Sequence, residues 1–287
     1  MGAADVVPGV SGGTIAFISG IYEELITSIN NIHPSLIKTW KKDGFTAFWK
    51  KLNGNFLVAL FLGIFTSLFS LATVVSWLLE NEPVLLWSFF FGLVAASIFF
   101  VGKEIGKWNM GTILILILGA AIAYFITTLP ASENSTGLPY LFISGALAVC
   151  AMILPGISGA FILVLLGSYK TILDAVHERN IQIIITVALG AIFGLLSFAK
   201  LLKWMFSHYK NLTLALLTGF ILGSLNKIWP WKLVLETKTI GDKIIPLKEQ
   251  NVSPFNFDGE SQLLFAIISA IIGFSLIFIL EKVASKK

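Results

Sequence analysis

Two short runs in this chain combine a helix breaker with small residues and a hydroxyl. Pro8 opens PGVSGG and Pro155 opens PGISGA, 147 positions later. The match continues in register, with Gly20 opposite Gly167 and Tyr22 opposite Tyr169. Proline lacks a backbone donor and glycine surrenders backbone order, so each run interrupts a helix. The helix restarting after each break is led by Ser11, Gly12, Gly13 and Thr14 in one copy and by Ser158, Gly159 and Ala160 in the other. A helix start offers unbonded N–H groups and the positive end of the peptide dipole. Glycine, as at Gly9 and Gly156, admits a ligand close to the backbone, and a serine hydroxyl can cap the helix or bond a ligand oxygen. Two converging starts would hold a phosphate or carboxylate with few full charges. The competing reading is a kinked, close-packing surface in which Ser11 and Ser158 bond backbone only.

The other chemically active residues are few. Asp5 precedes Pro8 by three positions and faces Met152 in the repeat, so symmetry does not account for it. At membrane depth a carboxylate implies proton or cation coupling; near the chain start it is equally compatible with a water-exposed position. Glu23 and Lys170 lie 15 residues beyond their prolines, a distance that puts them near a membrane surface, where snorkelling explains them. Arg179, the single arginine, follows His177 and Glu178; it reads either as a receiver of phosphate at the outer mouth or as a loop charge. Cys150 is the sole cysteine, which excludes an intrachain disulfide, and nothing resembles a metal site.

The elements around these residues are set by composition. The 287 residues are 56% hydrophobic and 13% charged, with 24 Phe and a mean hydropathy of +0.87. Such a chain is a polytopic membrane protein. The net charge of +4 rests on lysines between apolar runs, an orientation signal and not a nucleic-acid footprint. Apolar runs of spanning length fall near 55–79, 84–102, 110–129, 181–202, 211–229 and 262–280. The stretch 138–176, broken at Pro155, fits a re-entrant hairpin or two short tilted spans. Inside a bilayer the freed backbone groups of such a break need protein partners or a polar cavity.

A second correspondence, at an offset of 127, pairs Gly63 with Gly190, Ser70 with Ser197, Trp77 with Trp204, Gly92 with Gly219 and Ser97 with Ser224. The chain therefore divides into a first repeat at 1–130, with its hairpin motif at 5–30, and a second at 138–287. The expected fold class is an all-α polytopic membrane protein, each half a re-entrant broken-helix hairpin plus three transmembrane helices. Three crossings per half make this an inverted-topology repeat, as in secondary transporters. Lys38, Lys41, Lys42, Lys50, Lys51, Lys103, Lys107, Lys282, Lys286 and Lys287 all fall on one side of this topology, and 80–83 and 130–137 carry no Lys or Arg. Both termini are expected to be cytoplasmic.

Residues 2–26, GAADVVPGVSGGTIAFISGIYEELI, together with the second PGISG and the hydropathy pattern, resemble the bacterial polyprenyl-phosphate transporter family, PopT-like, formerly a membrane domain of unknown function. The resemblance spans essentially the whole chain. It implies translocation of undecaprenyl phosphate, a lipid carrier of cell-wall polymers, back to the inner leaflet of the bacterial cytoplasmic membrane. It picks out Asp5, Pro8, Gly9, Ser11, Gly12, Gly13, Thr14, Glu23, Pro155, Gly156, Ser158 and Gly159. The family has an apolar helix before the GAAD stretch; with Met1 where it stands, that arm is expected either upstream or incomplete. The implied partners are the polyprenyl-phosphate lipid, the membrane and, potentially, a second copy of the chain, with no nucleic acid. No cofactor is expected beyond a coupling ion, H+ or Na+. The alternative is a proton- or sodium-coupled transporter of a small soluble anion. An enzyme such as a lipid phosphatase would need cationic clamps and acid–base groups, which one Arg and no intramembrane His do not supply.

Overall fold

The computed structural model describes residues 1–2, 11–130, 132, 137–240 and 243–284, and of these the backbone alone at 72, 236–240, 243–248 and 280–284. In chain order, α1 (Gly12–Ile18) and α2 (Tyr22–Asn30) form a short pair, and α3 (Ser35–Leu52) carries the lysine-rich segment. Next come α4 (Gly54–Asn81), α5 (Pro83–Lys103) and α6 (Met110–Thr128). The second motif lies on α7 (Leu138–Ile153), α8 (Gly159–Leu165) and α9 (Tyr169–His177). Then follow α10 (Ile181–Ser224), a 3-10 turn (Leu225–Ile228), strands β1 (Lys232–Ile240) and β2 (Lys243–Asn251), and α11 (Leu263–Ala284).

Local signals set the helix starts. Pro83 begins α5, where its missing N–H costs nothing. Asn109 and Thr112 close a reciprocal capping box at the start of α6.

Four helical stretches are long and apolar enough to cross a membrane, Gly54–Leu71, Pro83–Lys103, Met110–Thr128 and Ile181–Ile228, or five if α8 and α9, bent by 106°, count as one span. This is a multi-pass membrane protein. Two of the six expected spans, 181–202 and 211–229, lie on either side of a kink in α10 at Tyr209 (φ −137°, ψ 46°), which divides it into two helices. Residues 203–210, KWMFSHYK, hold no proline or glycine, so no helix breaker in the sequence marks the kink. The last expected span, 262–280, contains a shorter apolar helical stretch, Leu263–Ile279.

The all-α expectation fails at 232–251. There β1 and β2 pair antiparallel from Lys232↔Asn251 to Ile240↔Lys243, with irregularities around Glu236. Two strand-length runs, holding Leu233, Val234 and Leu235 and then Ile244 and Ile245, lie on either side of the two-residue Gly241-Asp242 spacer, a hairpin pattern. The hairpin is fastened by Trp229 Nε1–H to Val252 O and by Trp231 Nε1–H to Ser261 O, each at 2.9 Å.

Small residues bring the long helices together. Gly273 of α11 meets the Phe89 backbone of α5, and farther along the same pair Phe100 and Phe278 have ring centroids 4.7 Å apart. These two helices run parallel, since Gln262 donates to Glu82 and Ser269 to the Leu85 carbonyl at their starts. The later part of α10 packs parallel to α6, with Gly219 against Leu116 and Gly223 against Ala120. Its earlier part packs parallel to α7, with Gly190 against Phe142 and Gly194 against Ala146. Backbone contact of this kind needs glycine at the crossing. Of the four spanning stretches the one on α5 is the most enclosed and that on α4 the least. The exposed Phe61, Phe65 and Phe69 of α4 accordingly form an outer, lipid-compatible face.

Candidate functional site

The junction is built on the break between α7 and α8. Leu154 is extended (φ −67°, ψ 134°), the conformation imposed on a residue before proline. Gly156 follows at φ 88°, a region closed to most side chains. The ladder therefore stops, and the carbonyls of Met152, Ile153 and Leu154 and the N–H of Gly156 need other partners.

Those partners come from 131 to 143 residues earlier in the chain. The Ser11 hydroxyl lies 3.2 Å from both the Met152 and Leu154 carbonyl oxygens and shares its proton between them. It also accepts from the Gly13 N–H at 3.1 Å, capping α1. Tyr22 OH donates to Ile153 O at 3.2 Å, and the Gly156 N–H donates to Thr14 Oγ1 at 2.9 Å. Ser11, Thr14 and Tyr22 are all 2% exposed or less. Only glycine fits at position 13, where a Cβ would stand 2.6 Å from Ile153 O. A Cβ on Gly156 would meet Ser224 Oγ at the same distance, so α10 closes the far side of the break.

The second copy has the same skeleton. Helices α1 and α8 have seven residues each, α2 and α9 nine, and the linking Gly20 and Gly167 sit at φ 70° and 65°. The end of α8 returns beside the start of α7: Tyr140 OH donates to Leu166 O at 2.7 Å, and the Ser144 and Ser168 hydroxyls are 2.8 Å apart. Yet Ser158, at the cap position of α8, makes no cap bond. Gly159 behind it packs on the Ala148 backbone.

Of the residues singled out in the sequence, Ser11, Gly12, Gly13 and Thr14 thus stand at the break that holds Pro155 and Gly156, with Ser158 and Gly159 at the start of the helix leaving it. Asp5, Pro8 and Gly9 lie outside the described residues. Arg179 is not part of this junction; it is exposed, after α9, in left-handed backbone at φ 56°. Glu23 instead pairs with Lys210, just past the α10 break, at 2.9 Å, both side chains being 55% exposed. Glu23, Ile26, Thr27, Lys203, Phe206 and Ser207 line a shallow groove of about 180 Å³ there. Among the described residues no group of three His, Cys, Asp or Glu converges as a metal site.

One charged cluster was missed. Lys227, in the turn after α10, lies 2.8 Å from Glu249 Oε2 of β2, and Lys232 Nζ lies 3.6 Å from the same oxygen. Burial pushes the Lys232 ammonium down to about 8, against the pull of Glu249. Burial works against the Glu249 charge too, yet Lys232 and Lys227 hold its carboxyl below the ordinary carboxylate range. The signal was the two-residue Gly241-Asp242 spacer between two strand-length runs, whose pairing brings Glu249 beside Lys232.

Residues 1–243 match the VCA0040-like family, described as undecaprenyl phosphate translocase-like. The chain belongs to that family. A protein of Vibrio cholerae named polyprenyl-phosphate transporter is 47% identical over 292 residues, covering all of this chain and 94% of the relative. One of the same name from Staphylococcus aureus is 31% identical over 248 residues, covering 80% of this chain and 83% of the relative. No solved structure matches. In this translocase-like member, the motif-bearing segments meet in a buried hydrogen-bonded junction.

Proposed function

We propose that this chain translocates a polyprenyl phosphate, undecaprenyl phosphate in particular, across the bacterial cytoplasmic membrane and returns it to the inner leaflet. It acts as a transporter and performs no catalysis. The observation that carries the reading is the buried junction in which Ser11, Thr14 and Tyr22 serve the broken backbone at 152–156, in a family whose relatives bear the name polyprenyl-phosphate transporter.

The physical problem is the head group. Its tail can stay in lipid, but a phosphate cannot enter hydrocarbon without losing its hydration. A polar seam at mid-depth, open sideways, lowers the barrier for the head alone. The head passes where α8 starts, using the Ser158 hydroxyl and the backbone near Gly159, with Pro155 and Gly156 shaping the break. Ser11, Gly12, Gly13 and Thr14 form the opposing wall, and Pro8 and Gly9, of the same motif, share the assignment to head-group binding.

The architecture behind this is an inverted repeat of 1–130 and 138–287, with the two hairpins entering from opposite faces. Its support is the equal lengths of α1 and α8 and of α2 and α9, and a crossed packing pattern. Gly92 and Gly219, equivalent at an offset of 127, each press against the last helix of the other half, Gly92 on Ala270 of α11 and Gly219 on Leu116 of α6. Both pairs run parallel, as an inverted two-fold requires. Asp5 and Glu23 serve coupling to H+ or Na+ or gating, with Glu23–Lys210 as the inner latch, and Arg179 receives the head group at the outer mouth.

The test is the purified protein in liposomes loaded with polyprenyl phosphate, read by how fast the head group becomes inaccessible to an impermeant external phosphatase. Protection faster than in empty liposomes and sensitive to a proton or sodium gradient is expected. No acceleration under any gradient, with insertion verified, transfers the assignment to a small soluble anion.

A further inference from the structure

The cluster at the end of α10 has more positive than negative charge and little water. Lys227, Lys232 and Glu249 side chains are 24%, 8% and 17% exposed. Both ammoniums address one oxygen, Glu249 Oε2, and Lys232 also donates to the Lys227 carbonyl at 2.6 Å. Aromatic faces back them: Lys232 Nζ is 4.3 Å from the Trp87 ring centre and Lys227 Nζ 5.1 Å from that of Phe161. Phe161 is the third residue of α8, and Ser224, which packs on Gly156, is three residues before Lys227. The cluster therefore adjoins the second break.

Among the described side chains, two enclosed ammoniums against one carboxylate leave a positive charge uncompensated, which is costly away from water unless an anion shares the site. A phosphomonoester carries about −1.5 to −2 at neutral pH and offers three acceptor oxygens, a closer match to two ammoniums than a single carboxylate. We propose that Lys227 and Lys232 form a seat for a phosphomonoester beside the second break, and that Glu249 is the internal anion which the incoming group displaces. Asn251 Nδ2 holds the adjacent strand end to Asn226, through its carbonyl oxygen at 2.8 Å and Oδ1 at 2.7 Å, so the Glu249 side chain can turn away while β2 stays in place. In identifying the phosphomonoester as a lipid head group, the seat rests on the transport reading above.

The experiment uses the full chain in detergent with three probes: a fluorescent short-chain polyprenyl phosphate, the matching polyprenyl alcohol and inorganic phosphate. Glu249→Gln is expected to bind the lipid phosphate about tenfold tighter and Lys227→Met about tenfold weaker, with the alcohol unaffected. In the unsubstituted protein, bound lipid phosphate slows acylation of Lys227 by an amine-reactive reagent, read by mass spectrometry, which keeps the seat testable if a variant does not fold. Unaltered affinities in folded variants, or an unprotected Lys227 at saturating lipid, overturn the seat; the transport reading stands if the wild type still moves lipid. The same ranking for inorganic phosphate, with no binding of the lipid, supports the seat and overturns the lipid assignment instead.

Discussion

The starts of α1 and α8 carry the same serine at the same cap position, and each helix ends at a glycine of positive φ. Their hydroxyls nonetheless do different work. Ser11 is spent on two carbonyls of the other break and on its own helix cap, whereas Ser158 has no cap bond. The tyrosines diverge in the same way: Tyr22 is buried and bonded to Ile153 O, while its counterpart Tyr169 makes no such bond among the described residues. A helix break inside a membrane creates unpaired backbone groups, and here the first motif supplies the partners for the second. The first motif's hydroxyls are committed to the backbone of the second break, while Ser158 makes no cap bond on its own helix.

Substitutions can break or sharpen this contrast. The largest effect is expected at Gly156, where alanine would be forced into φ 88° with its Cβ against Ser224. Gly156→Ala should cost at least about 2 kcal/mol and lower the yield of folded, monodisperse protein. Ser11→Ala strands the Met152 and Leu154 carbonyls and the Gly13 N–H. A loss of about 1–3 kcal/mol is expected, seen as an earlier unfolding midpoint in detergent, whereas Ser158→Ala should stay within about 0.5 kcal/mol of wild type. Equal midpoints for the two alanine variants would erase the distinction. Tyr22→Phe removes one bond to Ile153 O and should cost about 1 kcal/mol, with Tyr169→Phe neutral. Glu23→Gln, at a half-exposed pair, should change stability by less than about 1 kcal/mol, so any larger fall in transport rate reports gating.

Much of the skeleton was legible because it rests on residues with fixed conformational consequences. Pro155 and Gly156 break the helix, Gly20 and Gly167 turn the chain, and the glycines of α10 mark its crossings with α6 and α7. What escaped the sequence depends on tertiary register. Nothing in Ser11 or Ser158 tells which will find a carbonyl, since that follows from how α1 lies across 152–156. The break at Tyr209 has no proline or glycine to announce it. The strand pair at 232–251 is marked only by the two-residue Gly241-Asp242 spacer, because neither run alternates polar and apolar positions, and the Lys227–Glu249–Lys232 cluster depends on that pairing.

The measurement that bears most directly on the central claim is the rate of polyprenyl-phosphate protection in liposomes containing Ser158→Ala protein. Its unfolding midpoint would first be matched to wild type. A rate reduced about tenfold, the scale of one lost hydrogen bond to a charged group, is the predicted result. A wild-type rate in that folded variant would contradict passage of the head group at the second break.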